Sequence, residues 1–112
     1  MYTIYHNPRC SKSRICLQLL QEAGVRLDIV DYLHQPLSLE RLQDFAKHFG
    51  IQAMVRTDEA IYKELKLVEV NDETLLETII AHPKLLQRPI VMHKGQMIIA
   101  RPPEKVLELL NV

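Results

Sequence analysis

Cys10 lies in the run Tyr5-His6-Asn7-Pro8-Arg9-Cys10-Ser11-Lys12-Ser13-Arg14, where a loop leaves one element and a helical pattern opens the next. At such a junction unpaired backbone N–H groups and the helix dipole favour an anion. They lower a thiol's pKa, and the thiolate is the nucleophilic form. Arg9, Lys12 and Arg14 add three cations within six residues, and His6 is close by. Cations in a first helical turn oppose the dipole, so helix stability does not account for Lys12 and Arg14. An anion bound at that turn does. The chemistry implied is attack by a thiolate on an anionic partner. An inert thiol among solvated cations is the plainer alternative, and it fits the spacing less well.

Cys16 falls among Ile15, Leu19 and Leu20 and reads as a small buried hydrophobe. The position three after Cys10, where dithiol redox motifs place a second cysteine, holds Ser13, so a self-contained dithiol cycle is disfavoured. Three more arginines stand at the edges of elements, where function concentrates: Arg56 before Thr57, Arg88 before Pro89, and Arg101 before Pro102-Pro103. Taken singly each also reads as a surface arginine, and spacing alone does not join them. His48, His82 and His93 have no metal-ligand spacing and read as structural or solvated, so no metal is expected. Tyr5, Tyr32 and Tyr62 read as core or rim. The three glycines each serve a cap or turn, which leaves none for a phosphate loop.

The elements that must position these residues belong to a chain of ordinary globular make-up. It has 112 residues, 47% hydrophobic and 25% charged, so a single domain spanning 1–112 is expected. Lys plus Arg equals Asp plus Glu at 14 each, which disfavours nucleic acid or a membrane surface as a partner held by bulk charge. Any anion site must be local. No apolar run approaches the roughly 18 residues of a membrane span, and the first residues lack the pattern of a signal peptide. A cytoplasmic monomer is the expectation. In a reducing compartment Cys10 and Cys16 would not hold a standing disulfide, and two cysteines are too few for a structural zinc site.

Tyr2–Tyr5 reads as a strand, Ser11–Ala23 as a helix capped by Gly24, and Val25–Tyr32 as a second strand with Val25, Leu27 and Ile29 alternating. Together they predict a parallel βαβ unit. Pro36 and Ser38 open a helix bearing Leu39, Leu42, Phe45, Ala46 and Phe49, closed by Gly50. Thr57 can cap a short helix with Ile61, Tyr62 and Leu65, and Asn71 another with Leu75, Leu76, Ile79 and Ile80. Pro89–Met92 and Met97–Ala100 read as a hairpin around His93-Lys94-Gly95-Gln96. Pro102-Pro103 opens a last helix with Val106, Leu107 and Leu110. The class is α/β, one mixed sheet flanked by helices.

The run from Tyr5 to Arg14 closely resembles the active-site segment of the ArsC family, the glutaredoxin-linked arsenate reductases. The resemblance continues in order through Tyr32-Leu33 and Pro36, Met54-Val55-Arg56, Tyr62-Lys63-Glu64-Leu65, His82-Pro83, Gln87-Arg88-Pro89-Ile90-Val91 and Ala100-Arg101-Pro102-Pro103-Glu104. It implies a thioredoxin-like fold: a mixed four-stranded sheet flanked by helices, with a helical insertion, about residues 38–82, between strands 2 and 3. It implies that Arg88-Pro89 is a cis peptide bond. It makes Cys10 the nucleophile, Arg56, Arg88 and Arg101 the oxyanion-binding residues, and His6, Ser13 and Arg14 the residues around the thiolate. Well-known members read Cys-Gly-Thr-Ser-Arg where this chain reads Cys-Ser-Lys-Ser-Arg, and they commonly continue past the final helix, whereas this chain stops at Val112.

Arsenate is a tetrahedral oxyanion, and arginine presents a planar fork that binds two oxygens at once. In the cycle that the resemblance implies, Cys10 forms a thiolate–arsenic adduct, glutathione as co-substrate attacks it, and glutaredoxin reduces the mixed disulfide as arsenite leaves. One protein thiol suffices and no bound cofactor is required. Two alternatives stand beside this. A glutathione-dependent thiol oxidoreductase on the same fold has no need of three arginines. A regulator resembling Spx, which binds RNA polymerase, typically carries the C-x-x-C that Ser13 removes here.

Overall fold

The computed structural model describes residues 1–110; Asn111 and Val112, the end of the expected domain, lie outside the described residues. The chain divides into two compact units, Met1–Gln35 with Arg88–Val112, and Pro36–Gln87.

The first unit holds a four-stranded mixed sheet in the order β2-β1-β3-β4, built from β1 (Tyr2–His6), β2 (Leu27–Asp31), β3 (Ile90–His93) and β4 (Gln96–Ile99). β1 pairs parallel with β2 from Tyr2↔Leu27 to His6↔Asp31, and antiparallel with β3 through Ile4↔Val91. Helix α1 (Ser11–Glu22) makes the crossover between β1 and β2, as the βαβ reading requires. Its inward residues are Ser13, Cys16 and Leu20. Cys16 and Leu20 join Tyr2 and Ile4 of β1, Val91, Ala100, Val106 and Leu109 in one core. The Tyr2 hydroxyl donates to the Leu109 carbonyl at 3.3 Å and ties the first strand to the last turn.

Several boundaries differ from the sequence reading, each for a local reason. Ile15 points outward at 43% exposure, because the buried stripe runs through 13, 16 and 20, and Ile15 is about a quarter-turn off it. The second strand is shorter than Val25–Tyr32. Val25 and Leu27 pack on the core, but β2 is an edge strand and Ile29 is 44% exposed. The hairpin turn is only Lys94-Gly95, both at positive φ (49° and 78°), the pattern of a type I′ turn whose twist matches the strands. His93 and Gln96 are thereby paired strand residues. His93 stacks on Tyr2 with ring centroids 3.7 Å apart, a structural role. The last helix begins as a 3₁₀ turn, Pro103–Val106, before α6 (Leu107–Leu110). Its three-residue period aligns Val106 with Leu109 inward and leaves Leu107 42% exposed. Arg88–Pro89 is cis, as the resemblance implies, and Arg101–Pro102 is a second cis bond.

The second unit is helical: α2 (Leu39–Phe49), α3 (Ile51–Met54), α4 (Ala60–Glu64) and α5 (Asp72–Ala81), with short 3₁₀ turns at Leu67–Glu69 and Pro83–Leu85. Ser38 caps α2, its side chain accepting the Arg41 N–H at 3.0 Å, and Gly50 closes it at φ 83°. Asn71 caps α5 through the Thr74 N–H. α2 packs on α3 and α5, and Leu42, Phe45, Met54, Leu75 and Ile79 are buried. α3 had no counterpart in the sequence reading. Thr57 is not a cap: a turn from Arg56 to Glu59 comes first, and Glu59 takes the N-cap position of α4. No helix among the described residues is long and apolar enough to cross a membrane.

Candidate active site

Cys10 is the N-cap residue of α1, in extended backbone (φ −96°, ψ 122°). The loop that delivers it is closed by one residue, Asn7, which is 5% exposed. The Asn7 carbonyl accepts the Cys10 N–H at 3.0 Å. Its side-chain Oδ1 accepts the Arg9 N–H at 2.9 Å, and its own N–H donates to Ser13 Oγ at 3.0 Å. Pro8 brings no N–H to satisfy, and its carbonyl accepts Arg14 Nη1 at 3.0 Å. In the sequence Asn7-Pro8 reads only as a loop signal; the organising role of Asn7 emerges from the structure. The signal was present: asparagine two residues before an N–H that it can accept.

Around the Cys10 sulfur two influences oppose each other. Burial disfavours the thiolate, but the N–H of Ser13, the Arg88 side chain, the N–H of Lys12 and the Arg88 charge all favour it, and the pKa lies below the ordinary 9.0. The side chain closes no cap bond of its own on the helix. The N–H groups of the first turn act instead on the charged sulfur, as an anion at a helix N-terminus would be held.

Arg88 reaches the sulfur from the start of β3. The hairpin register Ile90↔Ile99 and the bond from Ala100 N–H to the Pro89 carbonyl continue outward to Arg88 opposite Arg101. There Arg101 Nη1 donates to the Arg88 carbonyl at 3.1 Å. Two arginines distant in sequence are thus adjacent at the open end of one hairpin.

His6 ends β1, 7% exposed, with Nδ1 2.6 Å from Ser13 Oγ. Burial lowers its pKa below the usual 6.5; Asp31, its register partner on β2, opposes this, and the Arg14 charge reinforces it. Ser13 is fully buried. Cys16 is fully buried too, and its thiol is pushed up to about 12 by burial alone, so it stays protonated and unreactive at neutral pH. Both cysteines are free thiols.

Of the residues singled out from sequence, Cys10, His6, Ser13, Arg14, Arg88 and Arg101 all belong to the first unit. Arg56 belongs to the second. Its N–H donates to the Leu85 carbonyl at 2.7 Å, its Nε donates to Glu59 Oε1 at 3.2 Å, and its Nη2 is 3.9 Å from Asp58 Oδ2. Among the described residues no group of three or more His, Cys, Asp or Glu could hold a metal ion.

The ArsC family model matches residues 5–109, which takes in Cys10 and all three arginines. The chain belongs to the ArsC family. The arsenate reductase of Neisseria meningitidis is 43% identical over 108 residues, covering 92% of each chain. The Escherichia coli protein YfgD, described as uncharacterized, is 45% identical over 113 residues, covering 96% of this chain and 95% of its own. Among solved structures, an arsenate reductase from Vibrio cholerae superposes with a TM-score of 0.90 at 43% identity, over 96% of this chain and 95% of its own. The architecture is thus the thioredoxin-like α/β arrangement of ArsC proteins. Within it, a thiol at a helix N-terminus with an arginine on its sulfur is equipped for nucleophilic attack on an oxyanion.

Proposed function

We propose that this ArsC protein reduces arsenate to arsenite. Cys10 attacks arsenic as the thiolate and displaces an oxygen, which leaves as water once protonated, giving a Cys10 sulfur–arsenic adduct. The glutathione sulfur attacks the Cys10 sulfur of the adduct, the sulfur–arsenic bond breaks with its electron pair left on arsenic so that arsenite departs, and glutaredoxin reduces the remaining Cys10–glutathione mixed disulfide. Arsenic(V) gains two electrons and the two thiols that supply them finish as a disulfide, so no resident cofactor is needed. Arg88, Arg101 and Arg56 bind the oxyanion and stabilise its developing charge. His6, Ser13 and Arg14 hold the loop and the thiolate. A cytoplasmic monomer working with a soluble glutaredoxin is the setting that this chemistry fits.

The observation that carries the reading is the Cys10 sulfur held between the first-turn N–H groups of α1 and the Arg88 side chain, with its pKa lowered against burial. The arsenate reductases among its relatives supply the substrate. The test is arsenite production from arsenate with glutathione and an active glutaredoxin. Turnover in the wild type that vanishes in Cys10→Ser supports it. No turnover in the wild type sinks it and moves a thiol oxidoreductase, then a polymerase-binding regulator, ahead.

A further inference from the structure

We propose that Glu59 is a positioning residue for Arg56, fixing which edge of its guanidinium meets an oxyanion. This rests on the reading of Arg56 as an oxyanion ligand. The backbone of Arg56 is pinned from both sides: its N–H to the Leu85 carbonyl at 2.7 Å, the Val55↔Leu86 bridge, and the Gln87 N–H to the Met54 carbonyl at 2.8 Å. A pinned backbone does not fix a side chain with four rotatable bonds. Glu59 does, because its Oε1 accepts Arg56 Nε–H at 3.2 Å, and the two side chains are only 15% and 25% exposed.

Glu59 stands at the N-cap of α4. Here it makes no cap bond and turns back to Arg56, while its own N–H donates to the Arg56 carbonyl at 3.3 Å. Arginine has five N–H donors in a rigid fork. With Nε–H committed to Glu59, the paired Nη groups are the edge left for two oxygens of a tetrahedral anion. Asp58 is only a loose competitor there, 3.9 Å away and 79% exposed. A negative charge beside the ligand should by itself weaken anion binding, so what Glu59 contributes is orientation.

Steady-state arsenate reduction with saturating glutathione and glutaredoxin tests this on wild type, Glu59→Ala, Glu59→Gln and Arg56→Ala. Glu59→Ala is expected to raise KM for arsenate about three- to tenfold, the loss of one orienting hydrogen bond, with kcat near wild type. Glu59→Gln keeps an oxygen for Nε–H and drops the repelling charge, so its KM should fall at or below wild type. An unmoved KM in Glu59→Ala while Arg56→Ala is impaired overturns the positioning role, as does Glu59→Gln tracking Glu59→Ala. An unimpaired Arg56→Ala instead removes the oxyanion reading of Arg56 on which it rests. Should Glu59→Ala melt before assay, Glu59→Gln decides alone: a KM at or below wild type supports the role, a raised one sinks it.

Discussion

Ser13 Oγ, fully buried, lies 2.6 Å from Nδ1 of His6 and also accepts the N–H of Asn7 at 3.0 Å. One oxygen therefore joins the last residue of β1, the first residue of the Cys10 loop and the first turn of α1. A hydroxyl has one hydrogen and two lone pairs, and the imidazole can donate or accept according to its tautomer.

Removing that oxygen leaves a buried N–H and a buried ring nitrogen unanswered. Ser13→Ala is expected to cost about 1–3 kcal/mol, the penalty for stranding such groups. Chemical denaturation of the two proteins measures it. A variant as stable as the parent would mean that water or a rearranged loop replaces the hydroxyl.

Arg88 acts on the Cys10 sulfur both as a hydrogen-bond donor and as a charge. Arg88→Ala should therefore raise the thiol pKa and move the pH profile of alkylation by iodoacetamide toward alkali. The sign carries into stability. A lowered folded pKa makes a contribution that is complete above the ordinary 9.0 and fades as pH falls through the lowered value. Arg88→Ala should shrink that contribution. An unchanged alkylation midpoint would count against Arg88 at the sulfur.

Cys16 has the opposite sign. With its folded pKa raised to about 12, it favours the fold below the ordinary 9.0, and that support is lost as pH climbs from 9.0 toward 12. Cys16→Ala should flatten this alkaline loss in pH-dependent unfolding. At neutral pH it should cost about 1–2 kcal/mol for the small void left beside Leu20 and Val91. Arsenate turnover per folded molecule should be unaffected; a loss of turnover would give Cys16 a redox part.

The α/β class and the βαβ start were legible because Cys16 and Leu20 carry helical spacing and Tyr2–Tyr5 is β-branched and aromatic. The thiolate site was legible because cations crowd a helix start that they should locally avoid. What escaped was set by geometry that periodicity does not encode. α3 is four residues long, too short for a helical period to register. Thr57 has good capping chemistry, but the Arg56–Glu59 turn takes the chain one step further first. Asn7 was hidden because its work is done through three different atoms, two of them backbone. The pairing of Arg88 with Arg101 lies one step beyond the arms Pro89–Met92 and Met97–Ala100, which already carry the observed Met92↔Met97 register about the Lys94-Gly95 turn; that a side chain bonds across there is not encoded in spacing.

That turn makes the hairpin behave as a ruler. Arg88 and Arg101 are equidistant from Lys94-Gly95, so they meet only while both arms are counted equally. Losing or gaining one residue on either arm slides Arg101 off its mate and, because side chains alternate, swings it to the other side of the ribbon. Adding the same even number to both arms would carry the pair outward intact. The spacing between the two arginines is thus written at the opposite end of the hairpin, in a dipeptide remote from the Cys10 loop, and on the oxyanion role proposed for the pair a change of length there edits anion recognition.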